Sequence, residues 1–128
     1  MTRGHATPAP PLPVLRVGDT LLVTLQSELH DGMAGAFQEQ LLTQIEKTGA
    51  EGLLIDISGL DFVDSFVARV LVETGRMARL MGTETVLVGM RPEVAGTLVR
   101  MGFLMQGVTT ALNVDEGLVA LRSAKRKR

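Results

Sequence analysis

Two short runs rich in β-branched and aliphatic residues open the pattern: "PVLRV" at 13–17 and "LLVTLQ" at 21–26. They are separated by "GDT", where Gly18 and Asp19 supply a turn, so the pair predicts a hairpin. From Asp31 the period lengthens. Met33, Phe37, Leu41 and Ile45 recur four apart, while Gln38, Glu39, Gln44, Glu46 and Lys47 fall on other faces, the spacing of an amphipathic helix. Asp31 can cap its start by accepting backbone N–H bonds, and Gly49 can end it in the left-handed conformation. "GLLIDIS", bounded by Gly52 and Gly59, is too apolar to have a solvated face and predicts a central strand covered on both sides.

The next helical pattern runs from residue 65 to about 81 and is closed by Gly82. Val67, Val70 or Leu71, Thr74, Met77 or Ala78, and Met81 form its apolar stripe; Arg69, Glu73 and Arg76 form a solvated one. "TVLVG" repeats the buried-strand pattern. Pro92 and Glu93 suit the first turn of a short helix that stops at Gly102. "GVTTALN" predicts a last edge strand and "DEGLVALRS" a final helix. The alternation describes an α/β fold: one domain over 14–121, with a mixed four- to five-stranded sheet flanked by about four helices. Residues 1–13, with Pro8, Pro10, Pro11 and Pro13, read as a flexible extended arm, and 122–128 as a basic tail.

Composition narrows the chemistry. With 45% hydrophobic residues but four Phe and no Trp or Tyr, the core is aliphatic, and stacking platforms for bases are missing. The absence of cysteine removes disulfides, thiolate chemistry and cysteine-rich zinc sites. No apolar run approaches a membrane span and "MTRGHATPAPPLPVL" has no leader-like apolar region, so a cytoplasmic location is expected. Five of the thirteen basic residues lie in the last seven positions, which leaves residues 1–121 with eight basic and fourteen acidic side chains. An acidic body of this kind disfavours nucleic acid as a partner.

Catalytic and cofactor signatures are missing: no phosphate-binding glycine loop, no GxGxxG after a strand, no paired-histidine metal spacing. No cofactor and no metal is expected. A Ser65, His30 and Asp56 triad can be drawn on paper, but "DFVDSFV" lacks the elbow that exposes a nucleophile. Asp61 and Asp64 precede a helix, where acidic side chains serve as caps and dipole partners. Ser65 is either the cap of that helix or a free hydroxyl beside it, since Asp64 can do the capping equally well. The residues alone leave both open.

The stretch "IDISGLDFVDSFVARVL", followed by "MARLMGTETVLVGMRPEVAGTLVRMG", resembles the STAS domain of anti-sigma-factor antagonists, and within that family the small scaffold proteins of the stressosome. The resemblance runs from about Val14 to Leu121. It implies a non-enzymatic regulatory scaffold of a bacterial stress-signalling complex, in which a serine after the central strand is phosphorylated by a dedicated serine kinase. By position that serine is Ser65, directly after Asp64. A second phosphoacceptor, associated with larger paralogues, maps to Thr97. The partners implied are a serine-protein switch kinase, held at Asp61, Phe62, Val63, Asp64 and Phe66, and a larger STAS-domain sensor paralogue in a large homo- or hetero-oligomeric assembly, without nucleic acid or membrane. Two alternatives stand beside it. One is a simple anti-sigma-factor antagonist outside any large assembly. The other is a small-ligand-binding α/β domain with a pocket near Ser58, Ser65 and Gly89.

Overall fold

The computed structural model describes residues 13–25, 31–102 and 108–126. Strands β1 (Val14–Val17) and β2 (Thr20–Thr24) form the expected hairpin, and Gly18 takes φ +60° in its turn. The chain continues through α1 (Asp31–Thr48), β3 (Gly52–Asp56), α2 (Ser65–Leu80), β4 (Glu84–Val88), α3 (Pro92–Arg100), β5 (Thr109–Ala111) and α4 (Val114–Arg126). The five strands lie in sequence order, with β1 antiparallel to β2 and all later pairs parallel. The α/β architecture read from the sequence, a mixed sheet with four helices, is therefore the observed one.

Alternation along each strand sorts the core into two layers. Leu21 and Val23 of β2, Leu53 and Ile55 of β3 and Leu87 of β4 join Phe37, Leu41 and Ile45 of α1, Val67 and Leu71 of α2 and Leu98 of α3 on one face. Leu54, Val86 and Val88 point the other way and are covered by α4 through Leu118 and Leu121. The central strands are buried on both faces, which is why they read as continuous apolar runs.

Thr74, fully buried on α2, donates to Val70 O at 2.6 Å and accepts from Gln38 Nε2 of α1 at 3.2 Å. This ties the two long helices together inside the apolar layer and satisfies a hydroxyl that burial would otherwise penalise. Gly49 ends α1 at φ +65°, its N–H donating to Ile45 O at 2.8 Å.

Two details depart from the sequence reading. Met81 of the expected α2 stripe turns outward, and of the alternatives Met77 and Ala78 it is Ala78 that takes the inward position. Met33 is likewise partly exposed at the front of α1. The cap expected of Asp31 rests on a side chain outside the described residues, as do His5, His30, the arm before Pro13 and the last residues of the tail.

The fit of α4 onto the sheet depends on one glycine. A Cβ at Gly117 would lie 2.5 Å from Leu54 Cδ2 and 2.8 Å from Val88 Cγ1, both buried side chains of the sheet. Gly117→Ala is expected to lower stability by about 1–3 kcal/mol through overpacking, despite the better helix propensity of alanine. Urea denaturation measures this; an unchanged or higher midpoint would show that α4 is free to lift away from the sheet.

Candidate functional site

The segment between β3 and α2 is fixed from both ends. At the strand end, Asp56 Oδ1 accepts from Ser58 N at 2.9 Å and Leu60 N donates to Ile57 O at 3.0 Å, which folds residues 57–60 into a tight turn. Gly89, at φ +77°, packs against this turn so closely that a Cβ there would meet Ser58 Cβ at 2.8 Å. Arg91 Nε donates to Ser58 O at 2.9 Å and braces the same turn from the β4–α3 connection. At the helix end, Asp64 adopts extended backbone angles and its Oδ1 accepts from Val67 N at 2.8 Å. Asp64 is thus the N-cap of α2.

This assignment resolves the ambiguity left by the sequence. Ser65 is the first residue of α2 and is exposed, and because Asp64 holds the helix end, the Ser65 hydroxyl is not spent on capping. The first turn of α2 carries no acidic residue, and the capping carboxylate of Asp64 faces the partial positive charge of its N-terminus.

Around Ser65 the side chains alternate between anchors and surface. Leu60 and Val63 are each 1% exposed and belong to the core, whereas Asp61 is exposed and Phe62 is 61% exposed. Val63 and Ala68 occupy the positions of a hydrophobic staple, one before the cap and one four residues after it, and both are buried. Val63 is therefore corrected from a docking residue to an anchor. Burying it is what forces Phe62 outward. Phe66, 39% exposed, lies beside Ser65 on the first turn. Asp61, Phe62, Ser65 and Phe66 thus form an exposed strip of two aromatics, a carboxylate and a hydroxyl, with the Asp64 carboxylate half-buried at its edge.

Arg69 is exposed and lies four residues after Ser65, on the same side of the helix. The sequence reading had placed it only on a solvated stripe; its spacing from Ser65 was the signal.

The remaining candidates sit elsewhere. Thr97 is half-buried on α3, and its Oγ1 donates to Glu93 O at 2.9 Å, so that hydroxyl is already engaged within its own helix. In the paper triad, His30 lies outside the described residues and Asp56 Oδ1 is occupied by the Ser58 N–H. The contact of Ser58 with Gly89 leaves no room between them for a ligand. A groove of about 320 Å³ does exist, but at the opposite end of the strands, lined by Asp19, Glu51, Gly52, Glu84, Leu118 and Arg122 among others. Among the described residues no group of His, Asp and Glu is placed to hold a metal ion, and no helix is long and apolar enough to cross a membrane.

Comparison with known proteins agrees with this geometry. The family model of the STAS domain matches residues 12–117. The RsbS protein of Moorella thermoacetica, solved in a serine-to-glutamate form, is 43% identical with a TM-score of 0.79, over 90% of this chain and 97% of that one. A chain from a study of the molecular architecture of the stressosome, described as a signal integration and transduction hub, is 46% identical with a TM-score of 0.77, over 89% of this chain and 99% of that one. The RsbT co-antagonist protein RsbRA of Bacillus subtilis is 32% identical over 120 residues, which is 93% of this chain but 43% of that protein. The chain thus spans less than half the length of that curated relative.

If the carboxylate of Asp64 holds the front of α2, Asp64→Ala is expected to cost about 1 kcal/mol of stability, while Asp64→Asn, which keeps an acceptor oxygen, costs little. Equilibrium urea unfolding of the two variants measures this, and equal losses would remove the cap from the account.

Proposed function

Because the chain belongs to the STAS-domain family, we propose that it is a non-enzymatic regulatory scaffold of a bacterial stress-signalling assembly that holds a serine-protein switch kinase and releases it on phosphorylation of Ser65. The observation that carries this reading is the division of labour between Asp64 and Ser65: the aspartate caps α2, and the serine stands exposed between two partly exposed phenylalanines. The likeness to RsbS and to a stressosome chain supports the assembly, and the likeness to an RsbT co-antagonist supports RsbT or a kinase like it as the partner.

The physics separates the fate of the domain from the fate of the contact. A phosphate on Ser65 adds about −1.5 to −2 charges and three acceptor oxygens. Within the domain the N-terminus of α2 favours such a charge by about 0.3–1 kcal/mol, and Arg69 one turn on offers a cation of the right spacing. The fold is expected to survive. A partner packed on Phe62 and Phe66, by contrast, must desolvate the new dianion next to Asp61 and Asp64, and like charges forced together at an interface cost several kcal/mol.

Thr97 is the second acceptor in this reading. Its hydroxyl must first leave Glu93 O, and it is expected to be modified after Ser65 rather than in its place. Larger STAS-domain sensor paralogues are the other partners, sharing an assembly with this chain; RsbRA, more than twice the matched length, is the kind of protein meant.

Calorimetric titration of the kinase is expected to give equal affinity for the native chain and Ser65→Ala, and at least about tenfold weaker binding for Ser65→Asp, or about 1.4 kcal/mol. After kinase and ATP, Ser65→Ala stays bound, and mass spectrometry finds phosphate on Thr97 only in chains already carrying it on Ser65. Equal affinity of all three forms would remove the switch. Size-exclusion chromatography with a sensor paralogue tests the assembly: a scaffold yields a species far larger than a one-to-one complex, whereas a simple anti-sigma-factor antagonist does not.

A further inference from the structure

Aromatic residues are scarce in this chain, and two of them stand together at its surface. Of four Phe, with no Trp or Tyr, Phe37 is buried in the core and Phe103 lies outside the described residues. Phe62 and Phe66 are both exposed at the front of α2, next to the exposed carboxylate of Asp61. A phenyl ring gains strongly from leaving water. A segment able to lie over this pair would recover that gain.

Residues 1–12 have the matching chemistry. In "TPAPPLP" Pro8 and Pro11 are three apart, as are Pro10 and Pro13. A polyproline helix has three residues per turn, so each pair shares one edge and Ala9 and Leu12 take the third. Such helices dock on aromatic side chains at low entropic cost, because proline has its φ fixed beforehand. The same twelve residues hold Arg3 and no Asp or Glu, which complements the carboxylates of Asp61 and Asp64. Topology puts the root of this segment at the required end of the sheet. Val14 opposes Val23 in the antiparallel pair, and Val23 lies in register with Ile55. Pro13 therefore leaves the sheet at the end where β3 runs on toward Asp61–Phe66. β1 and β3 are two strand spacings apart, about 10 Å. At ~3.1 Å per residue, a polyproline segment from Pro13 back to Pro8 spans about 15 Å, enough to cross that gap. The acidic groove lined by Asp19, Glu51 and Glu84 lies at the opposite end of the strands and has no aromatic side chain in its walls.

We propose that residues 1–12 fold back across Phe62 and Phe66 of their own chain as a polyproline segment and shield Ser65. Covered and open forms exchange, and a partner that needs the two rings binds the open fraction alone, so its apparent affinity falls by that fraction. This second step rests on the Ser65 reading, whereas the contact itself does not. A phosphate on Ser65 adds negative charge beside a segment whose side chains carry none. The modification that repels a partner at Asp61 and Asp64 therefore leaves the arm in place, and the arm occupies the surface that the partner has vacated.

The chain contains no cysteine, so a single nitroxide label can be placed on full-length Ala9→Cys, on the edge of the segment that carries no proline. In the NMR spectrum the label is expected to broaden the amide signals of Asp61, Phe62, Ser65 and Phe66 far more than those of Val17–Thr20 at the other end of the strands. The broadening is expected to persist with Ser65→Asp and to vanish when Phe62→Ser and Phe66→Ser are combined, with circular dichroism establishing that this variant is folded. Mixing labelled chains with isotope-enriched chains that lack the label reads contacts between copies, and none is expected. No selective broadening, broadening centred on Asp19, Glu51 and Glu84, broadening that survives loss of both rings or appears mainly between copies, or its loss with Ser65→Asp would overturn the proposal. For the second step, Pro8→Gly, Pro10→Gly and Pro11→Gly together keep the whole chain but not its polyproline bias. This variant is expected to lose the broadening and to bind the switch kinase at least about threefold more tightly, as it would if two-thirds or more of the native chains are covered. Unchanged affinity would overturn the competition while the broadening upholds the contact, and a chain that binds no kinase yet shows the broadening would overturn the Ser65 reading alone.

Discussion

The hydrogen bond from Val67 N–H to the carboxylate of Asp64, 2.8 Å long, fixes where α2 begins and so what every neighbouring side chain is free to do. A helix presents several backbone N–H groups at its start that have no partner within it, and some side chain or solvent must accept from them. Two adjacent residues here were chemically able to do so. With Asp64 in that role, its backbone stays extended, Val63 before it drops into the core, and Ser65 enters the helix with its hydroxyl outward. Had Ser65 been the cap, the start of the helix would shift by one residue, and the inward position would pass from Val63 to an ionisable carboxylate at Asp64. The burial of an unpaired charge makes that alternative costly. The position of the exposed hydroxyl is therefore decided by the core as much as by the cap.

If Ser65 is phosphorylated as proposed, the surface around it needs a support that does not yield when charge is added. The support here is the set of turns at the C-terminal ends of the parallel strands. Asp56 closes its own turn, Gly89 approaches Ser58 without a side chain in between, and Arg91 reaches back to Ser58 O. None of these contacts involves Phe62 or Phe66. Charge placed on Ser65 meets the helix N-terminus and solvent rather than a packed interior, so its effect is exported to whatever docks there. The same argument separates Ser65 from Thr97, whose hydroxyl is bonded to its own helix and whose modification must first break that bond.

Much of this was legible in the sequence. Period four from Met33 to Ile45, the unbroken apolar runs of β3 and β4, and the glycines at 49, 82 and 102 placed the helices and strands where they are found, because burial on one stripe or on both faces dictates those patterns. The opening hairpin and the mixed character of the sheet came with them; the order of the strands did not. What the pattern could not give is the sense in which short irregular segments turn. In "LDFVDSF" three apolar residues compete for the interior, and only the geometry of the turn at Ser58 and the cap at Asp64 selects Leu60 and Val63 over Phe62. Likewise Met77 and Ala78 were alternatives by spacing, and it is Ala78 that the fold buries. Local alternatives of this kind are settled by tertiary packing, to which a one-dimensional pattern is blind.

The hairpin raises a question of a different kind, since a fold that covers β3 and β4 on both faces leaves, among the described residues, Leu15 and Val17 of its first strand exposed. A single helix, α4, can shield only part of a five-stranded twisted sheet, given strands ~4.8 Å apart and a helix ~10 Å across. Covering the rest within one chain would require another helix, and the chain spends its length instead on two helices and a third on the opposite face.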